Sequence, residues 1–149
     1  MNMLRISLLA AVIIAAVAPA RADHRADMEK FMADYLERWN AHDASAITKR
    51  FYRLDGNHPW STEAGMRAEF NRLESQGYTV SDIHAIVGCS LGADIGQVEL
   101  NFTRRTRDGG FMPPKDRTSL YKLRKFEDGW RVTGMSTLPP GTHMECPST

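Results

Sequence analysis

Residues Glu63–Leu91, EAGMRAEFNRLESQGYTVSDIHAIVGCSL, change their repeat partway along. Before Gly77, Met66, Phe70 and Leu73 sit at offsets 0, 4 and 7, one apolar face of a helix. Ser61 or Thr62 is placed to cap its start, and Gly77 to end it at the C′ position. After Gly77, Ile83, Ala85, Val87, Cys89 and Leu91 alternate with Asp82, His84, Ile86, Gly88 and Ser90. That period of two predicts a strand. The chain therefore passes from helix to sheet at a single glycine.

Upstream, Met28, Phe31, Met32, Tyr35, Leu36 and Trp39 fall at offsets 0, 3, 4, 7, 8 and 11, which predicts a long amphipathic helix. Asn40-Ala41-His42 breaks it, and His42 is read as a helix-end residue beside the last carbonyls. Asp43 is placed to cap a short second helix that turns Ala44, Ile47 and Phe51 inward. Asp55-Gly56-Asn57-His58-Pro59 reads as a turn-rich loop. Downstream, Val98, Leu100 and Phe102 alternate with Glu99, Asn101 and Thr103, and Asp108-Gly109-Gly110 reads as a hairpin turn. Pro113-Pro114 marks a bulge or edge before a strand over Arg117–Phe126, and Glu127-Asp128-Gly129 turns that strand into Trp130–Leu138. The expected fold is α+β: three N-terminal helices on a curved, mainly antiparallel sheet of four to five strands. A strongly twisted sheet wrapped round a long helix leaves a cone, and its open end is where a ligand would enter.

The chain ends add a compartment. Arg5 precedes an apolar run, Ile6 to Ala18, and Ala20-Arg21-Ala22 offers a small-x-small cleavage site before Asp23. This reads as a signal peptide over 1–22, the run being too short to span a bilayer. It predicts a periplasmic or secreted single domain over 23–149 with no membrane segment after cleavage. Cleavage would remove Arg5 and Arg21 and no acids, leaving a net charge of −1 with histidine neutral. That balance argues against a nucleic-acid partner. Arg104, Arg105 and Arg107 cluster, as do Lys122, Arg124 and Lys125, and both groups read as solvated strand faces near a hairpin. In an exported chain, Cys89 and Cys146 most simply form one disulfide, with free thiols or an intermolecular bond as the alternatives. The bridge would pin a tail of about 139–149, and loop-closure entropy values it at roughly 4 kcal/mol.

The run Tyr35-Leu36-Glu37-Arg38-Trp39-Asn40-Ala41-His42-Asp43, followed by Ala44-Ser45-Ala46-Ile47 and Phe51-Tyr52, resembles the opening of nuclear-transport-factor-2-like (NTF2-like) proteins. The SnoaL-like group is the most similar in style. Gly65-Met66-Arg67-Ala68-Glu69-Phe70 looks like their third-helix segment, and Leu120-Tyr121-x-Leu123-x-x-Phe126-x-Asp128-Gly129-Trp130-x-Val132 like their last hairpin. The resemblance implies a cone-shaped pocket. It does not fix an activity, because the superfamily holds isomerases, cyclases, dehydratases, epoxide hydrolases and members without catalysis. Ketosteroid isomerases of this type place a tyrosine where Tyr35 stands, eight residues before Asp43. The resemblance would put their general base about sixteen residues after that aspartate, and this chain has Pro59 there. It also implies a homodimer through the outer sheet face, where Tyr121 and Thr103 are candidate contacts.

The candidate pocket residues are Tyr35, Trp39, Asp55, His58, Trp60, His84 and Tyr121. Tyr35 and Trp39 share the helical stripe and would serve as pocket wall or as core aromatics. Asp55, Asn57, His58 and Trp60 would form a lid over the mouth or a structured turn. His84 and Asp82 share a strand face, either as a base with its orienting carboxylate inside the cone or as surface residues; the more apolar opposite face favours the surface. The five histidines show no metal-ligand spacing, and no nucleophile elbow or phosphate-binding loop occurs. No metal or cofactor is expected. The leading expectation is a small apolar or amphipathic ligand. An enzyme using Tyr35 with His58, Asp55 or His84 is the alternative, and an interaction module is a third reading.

Overall fold

The computed structural model describes residues 23–147. The proposed signal peptide lies outside the described residues. The element order is α1 (Arg25–Asn40), α2 (Ala44–Ala46), a π-helical turn over Ile47–Phe51, a 3-10 turn over Pro59–Ser61, α3 (Glu63–Ser75), β1 (Tyr78–Ser90), β2 (Ile95–Thr106), β3 (Arg117–Phe126) and β4 (Gly129–Leu138). The strands form one antiparallel meander in the order β1-β2-β3-β4. This is the α+β architecture expected from the change of period at Gly77, with helices on one face of a curved sheet.

Each helix forms for a local reason. Met28, Met32, Tyr35, Leu36 and Trp39 of α1 are buried against the sheet. The close approach requires glycine: a Cβ on Gly96 of β2 would stand 2.3 Å from the Met28 sulfur. Asp43 caps α2 by accepting from the Ala46 N–H at 2.9 Å. The helix then widens, and the Tyr52 N–H bonds the Ile47 carbonyl five residues back. Thr62, rather than Ser61, caps α3 by accepting from the Gly65 N–H at 3.1 Å. His42 departs from its simple helix-end reading. It takes φ +53°, and its ring reaches Glu74 Oε1 at 2.5 Å and the Thr79 carbonyl at 2.9 Å. The ring also stacks on Phe70. His42 thus ties the α1–α2 turn to both α3 and β1.

Two register shifts in β1, between Tyr78 and Ser81 and between Ile83 and Ala85, break the strict alternation expected there. A bulge bends a strand and changes which residues share a face. Ile83 and Ile86 therefore both pack on the core, while Val87 is 43 % exposed. A further shift interrupts the β3–β4 pairing at Lys122/Leu123. A fifth strand is reduced to one parallel bridge, Tyr52 with Val132. The Asp108–Gly110 turn forms with Gly109 at φ +82°, but β3 begins only at Arg117. Phe111 first bridges back to Arg105, and the Pro113–Pro114 peptide is cis.

The disulfide joins Cys89 to Cys146. Cys89 pairs with Gln97 on the sheet face away from the helices, so the tail crosses that outer face. There Glu99, only 3 % exposed, accepts from the Met144 N–H and Asn101 Nδ2 and meets His143 Nδ1 at 2.7 Å. The proposed dimer contacts are corrected by this arrangement. Thr103 is 1 % exposed, and Tyr121 pairs with Val98 on the inner face, so neither offers a free outer surface.

Candidate functional site

A cavity of about 160 Å³ opens between the helices and the far end of the sheet. Leu36 and Trp39 of α1 and Trp60 of the 3-10 turn form one wall. Ser81 of β1 and Leu100, Phe102 and Arg104 of β2 form the floor. Ser119 and Tyr121 of β3, with Met135, Ser136 and Thr137 of β4, close the other side. Ser136 and Thr137 are exposed and mark the opening. The lining is apolar inside with hydroxyls and one guanidinium, and it includes no Asp, Glu or His.

The wall is held by polar contacts behind it. Trp39 Nε1 donates to the Tyr78 hydroxyl at 2.9 Å, and that hydroxyl lies 3.0 Å from Ser81 Oγ. Asn40 brackets the Ser81 backbone, accepting from its N–H at 2.8 Å and donating to its carbonyl at 3.0 Å. Trp60 is fixed by its turn: its N–H donates to His58 Nδ1 at 3.0 Å. Gly65 makes the turn fit, because a Cβ there would meet the Pro59 carbonyl oxygen at 1.7 Å. Trp60 then packs on Trp39, ring centroids 6.0 Å apart.

Beneath the cavity lies a tyrosine cluster. The Tyr35 and Tyr52 hydroxyls are 2.7 Å apart and buried. Tyr121 packs edge-on to Tyr35. Burial pushes the Tyr35 and Tyr52 hydroxyls well above the usual phenol range, and the neighbouring phenols reinforce the shift for Tyr35. Burial also raises Tyr121, against the opposing effects of the Tyr35 hydrogen bond and the Arg104 charge.

Arg104 and Arg117 stand out electrostatically. Arg104 pairs in register with Ser81, and Arg117 with Phe102, so both belong to the helix-side face. The Nε of each is buried without a hydrogen-bond partner. Arg117 Nη2 donates to the Met112 and Pro113 carbonyls. Burial, and then the nearby Arg104 charge, lower the Arg117 pKa. The adjacent Arg105 points to the other face and pairs with Asp82. Among the described residues Arg104 has no such ion pair. Its reading as a solvated strand residue is therefore corrected. The alternation Leu100, Phe102, Arg104 was the available signal, since period two puts all three on one face.

Of the proposed pocket residues, Trp39, Trp60 and Tyr121 line the cavity. Tyr35 is 0 % exposed and sits behind it, bonded to Tyr52. The other three lie outside the lining. Asp55 is exposed and caps its own turn through the Asn57 N–H at 2.8 Å. His58 is used in accepting from the Trp60 N–H. His84 meets Thr103 Oγ1 at 2.8 Å on the outer face, beside Asn101 and His143 and on the side of Asp82, the surface placement that the apolar opposite face favours. Among the described residues no group of three or more His, Cys, Asp or Glu could hold a metal ion, and none of their helices is long and apolar enough to cross a membrane.

Comparison with known proteins places this geometry. An NTF2-like protein with a cystatin-like fold from Novosphingobium aromaticivorans superposes with a TM-score of 0.55 at 16 % identity, over 78 % of this chain and 82 % of its own. A ketosteroid isomerase-like protein from Erwinia carotovora atroseptica superposes with a TM-score of 0.51 at 17 % identity, over 79 % and 98 %. At these identities the likeness is one of fold. No curated protein matches the chain. The family model described as NTF2-like protein (DUF6841) matches residues 56–140, from the loop before Trp60 through the whole sheet. The chain belongs to that NTF2-like family.

Proposed function

We propose that this protein binds a small amphipathic molecule in the cavity between α1 and the sheet. The observation that supports this is the lining: an aromatic and aliphatic interior with hydroxyls and one cation, about 160 Å³ in volume. A cavity near 150 Å³ is large enough to hold a benzene-sized molecule. Sites of this kind combine apolar walls with a few placed polar groups. The catalytic alternative needs the Tyr35 hydroxyl and one of Asp55, His58 or His84 to face a common cavity. Tyr35 is bonded to Tyr52 instead, and the other three lie outside the lining. Pro59, in the register of the isomerase base, has no proton-abstracting group.

Two of the three tryptophans, Trp39 and Trp60, line the cavity. A panel of small aromatic and short-chain molecules should therefore raise the melting temperature and change tryptophan emission together. Trp60→Ala should weaken both responses. A panel that moves neither signal would overturn the reading. We further propose that the protein works outside the cytoplasm. The leader-like N-terminal sequence supports this, and the disulfide suits an oxidising compartment. N-terminal sequencing of protein recovered from a bacterial periplasm should begin at Asp23, and retention of Met1 in the cytoplasm would contradict it.

A further inference from the structure

We infer that the ligand is an organic monoanion whose carboxylate is held by Arg104, with its apolar body against Trp39, Trp60 and Phe102. This rests on the proposal that the cavity is a binding site, and adds the chemical class of what it binds. Three observations carry it. First, Arg104 is the one charged residue in the lining, and no acidic side chain accompanies it. Second, its Nε is buried with no acceptor, while its guanidinium carbon sits 5.8 Å from the centres of both the Phe102 and Tyr78 rings. A buried N–H without an acceptor is destabilising, so no protein group offsets this cation at Nε, and a carboxylate in the cavity meets the guanidinium end-on, at its two terminal nitrogens, in a bidentate pair. Third, Arg117 lies on the same sheet face, its own Nε also without an acceptor. Two neighbouring cations, neither of them ion-paired among the described residues, repel one another, and an anion at Arg104 relieves that repulsion.

The remaining lining fixes the rest of the molecule. One guanidinium within the cavity matches a single negative charge. The aromatic walls exclude a fully hydrated inorganic anion, whose other oxygens would lose water without replacement. Ser81 and Ser119 supply hydroxyls on the strands flanking β2. The volume suits roughly six to ten non-hydrogen atoms, such as an aromatic acid with one ring or a short fatty acid.

The test compares charged and neutral molecules of one shape. Benzoate against benzamide, and hexanoate against hexanamide, are titrated into the oxidised protein at neutral pH by calorimetry, with tryptophan emission followed in parallel. At least one acid should bind tenfold or more tightly than its amide. Arg104→Met should reduce that acid to the affinity of the amide, and Arg104→Lys should restore part of the difference. Trp60→Ala should weaken acid and amide alike. Equal affinities for acid and amide in the unaltered protein overturn the inference and leave the cavity standing as a binding site. An acid preference that survives in Arg104→Met overturns the assignment to Arg104. If neither pair binds, the inference falls, and the wider panel of small aromatic and short-chain molecules decides the binding function separately. The acid-to-amide ratio in the unaltered protein decides the charge question even if Arg104→Met does not fold.

Discussion

The hydroxyls of Tyr35 and Tyr52 lie 2.7 Å apart in the core, seventeen residues apart in sequence. Tyr35 occupies the position that a resemblance to isomerases would make an oxyanion donor. Here its hydroxyl serves the packing of α1 against the segment that bridges to β4. Removing one partner leaves the other buried without its hydrogen bond, at a cost of about 1–3 kcal/mol. Urea unfolding should show that loss for Tyr35→Phe and for Tyr52→Phe. The double variant should lose less than the sum of the two, because the single Tyr35–Tyr52 bond is lost only once.

The same cluster governs alkaline stability. Burial, foremost, holds the Tyr35, Tyr52 and Tyr121 hydroxyls above their ordinary values in the folded state. The unfolded chain releases those protons near pH 10, so above that pH it binds fewer protons than the native state. Stability from these groups is therefore full below about pH 10 and falls as pH rises beyond it. All four tyrosines are buried, and burial raises Tyr78 as well, so phenolate absorbance should appear only together with unfolding.

Gly65 carries the wall of the cavity. Gly65→Ala would drive a methyl into the Pro59 carbonyl oxygen, and the turn bearing Trp60 would have to move. The expected loss is about 1–3 kcal/mol, with a shift in tryptophan emission. Gly56→Ala, where nothing lies within 4 Å, should stay within about 0.5 kcal/mol of the parent. Equal effects in both variants would contradict the role assigned to Gly65.

Glu99 anchors the tail to the outer face. Burial alone would raise its pKa, but bonds from the Met144 N–H, His143 and Asn101 together bring it below the ordinary value. A depressed folded pKa adds stability above the unfolded value, near 4.3. That stability is lost as pH falls through the folded pKa. The protection of the Met144 amide, its exchange relative to an unfolded amide at the same pH, should fall on acidification, and Glu99→Gln should show reduced protection already at neutral pH.

The disulfide should matter globally as well as locally. Replacing Cys89 and Cys146 together by alanine should cost up to roughly 4 kcal/mol, from the loop entropy regained by the unfolded chain. Limited proteolysis should then cut between Pro139 and Pro147 at denaturant concentrations where the oxidised protein resists. The α-helical circular dichroism of the native state should be unchanged, since the bridge touches the sheet and tail only.

Periodicity determined much of this protein. The stripe from Met28 to Trp39, the cap at Asp43 and the change of repeat at Gly77 each report a local preference, so element type and order were legible in the chain. So was the Cys89–Cys146 pairing, because a chain with two cysteines leaves few choices. What the sequence could not show was which way the strands face. A bulge adds one residue and reverses the parity beyond it, and nothing local in residues 78–87 announces the two register shifts of β1. His84 stays on the outer face with Asp82, while Ile86, which strict alternation would put on that same face, turns to the core. The cavity itself was decided only in three dimensions: Trp60 reaches it through a turn shaped by Gly65, and Arg104 stays inside with its charge unpaired because the acid that could have met it, Asp82, lies across the sheet with Arg105.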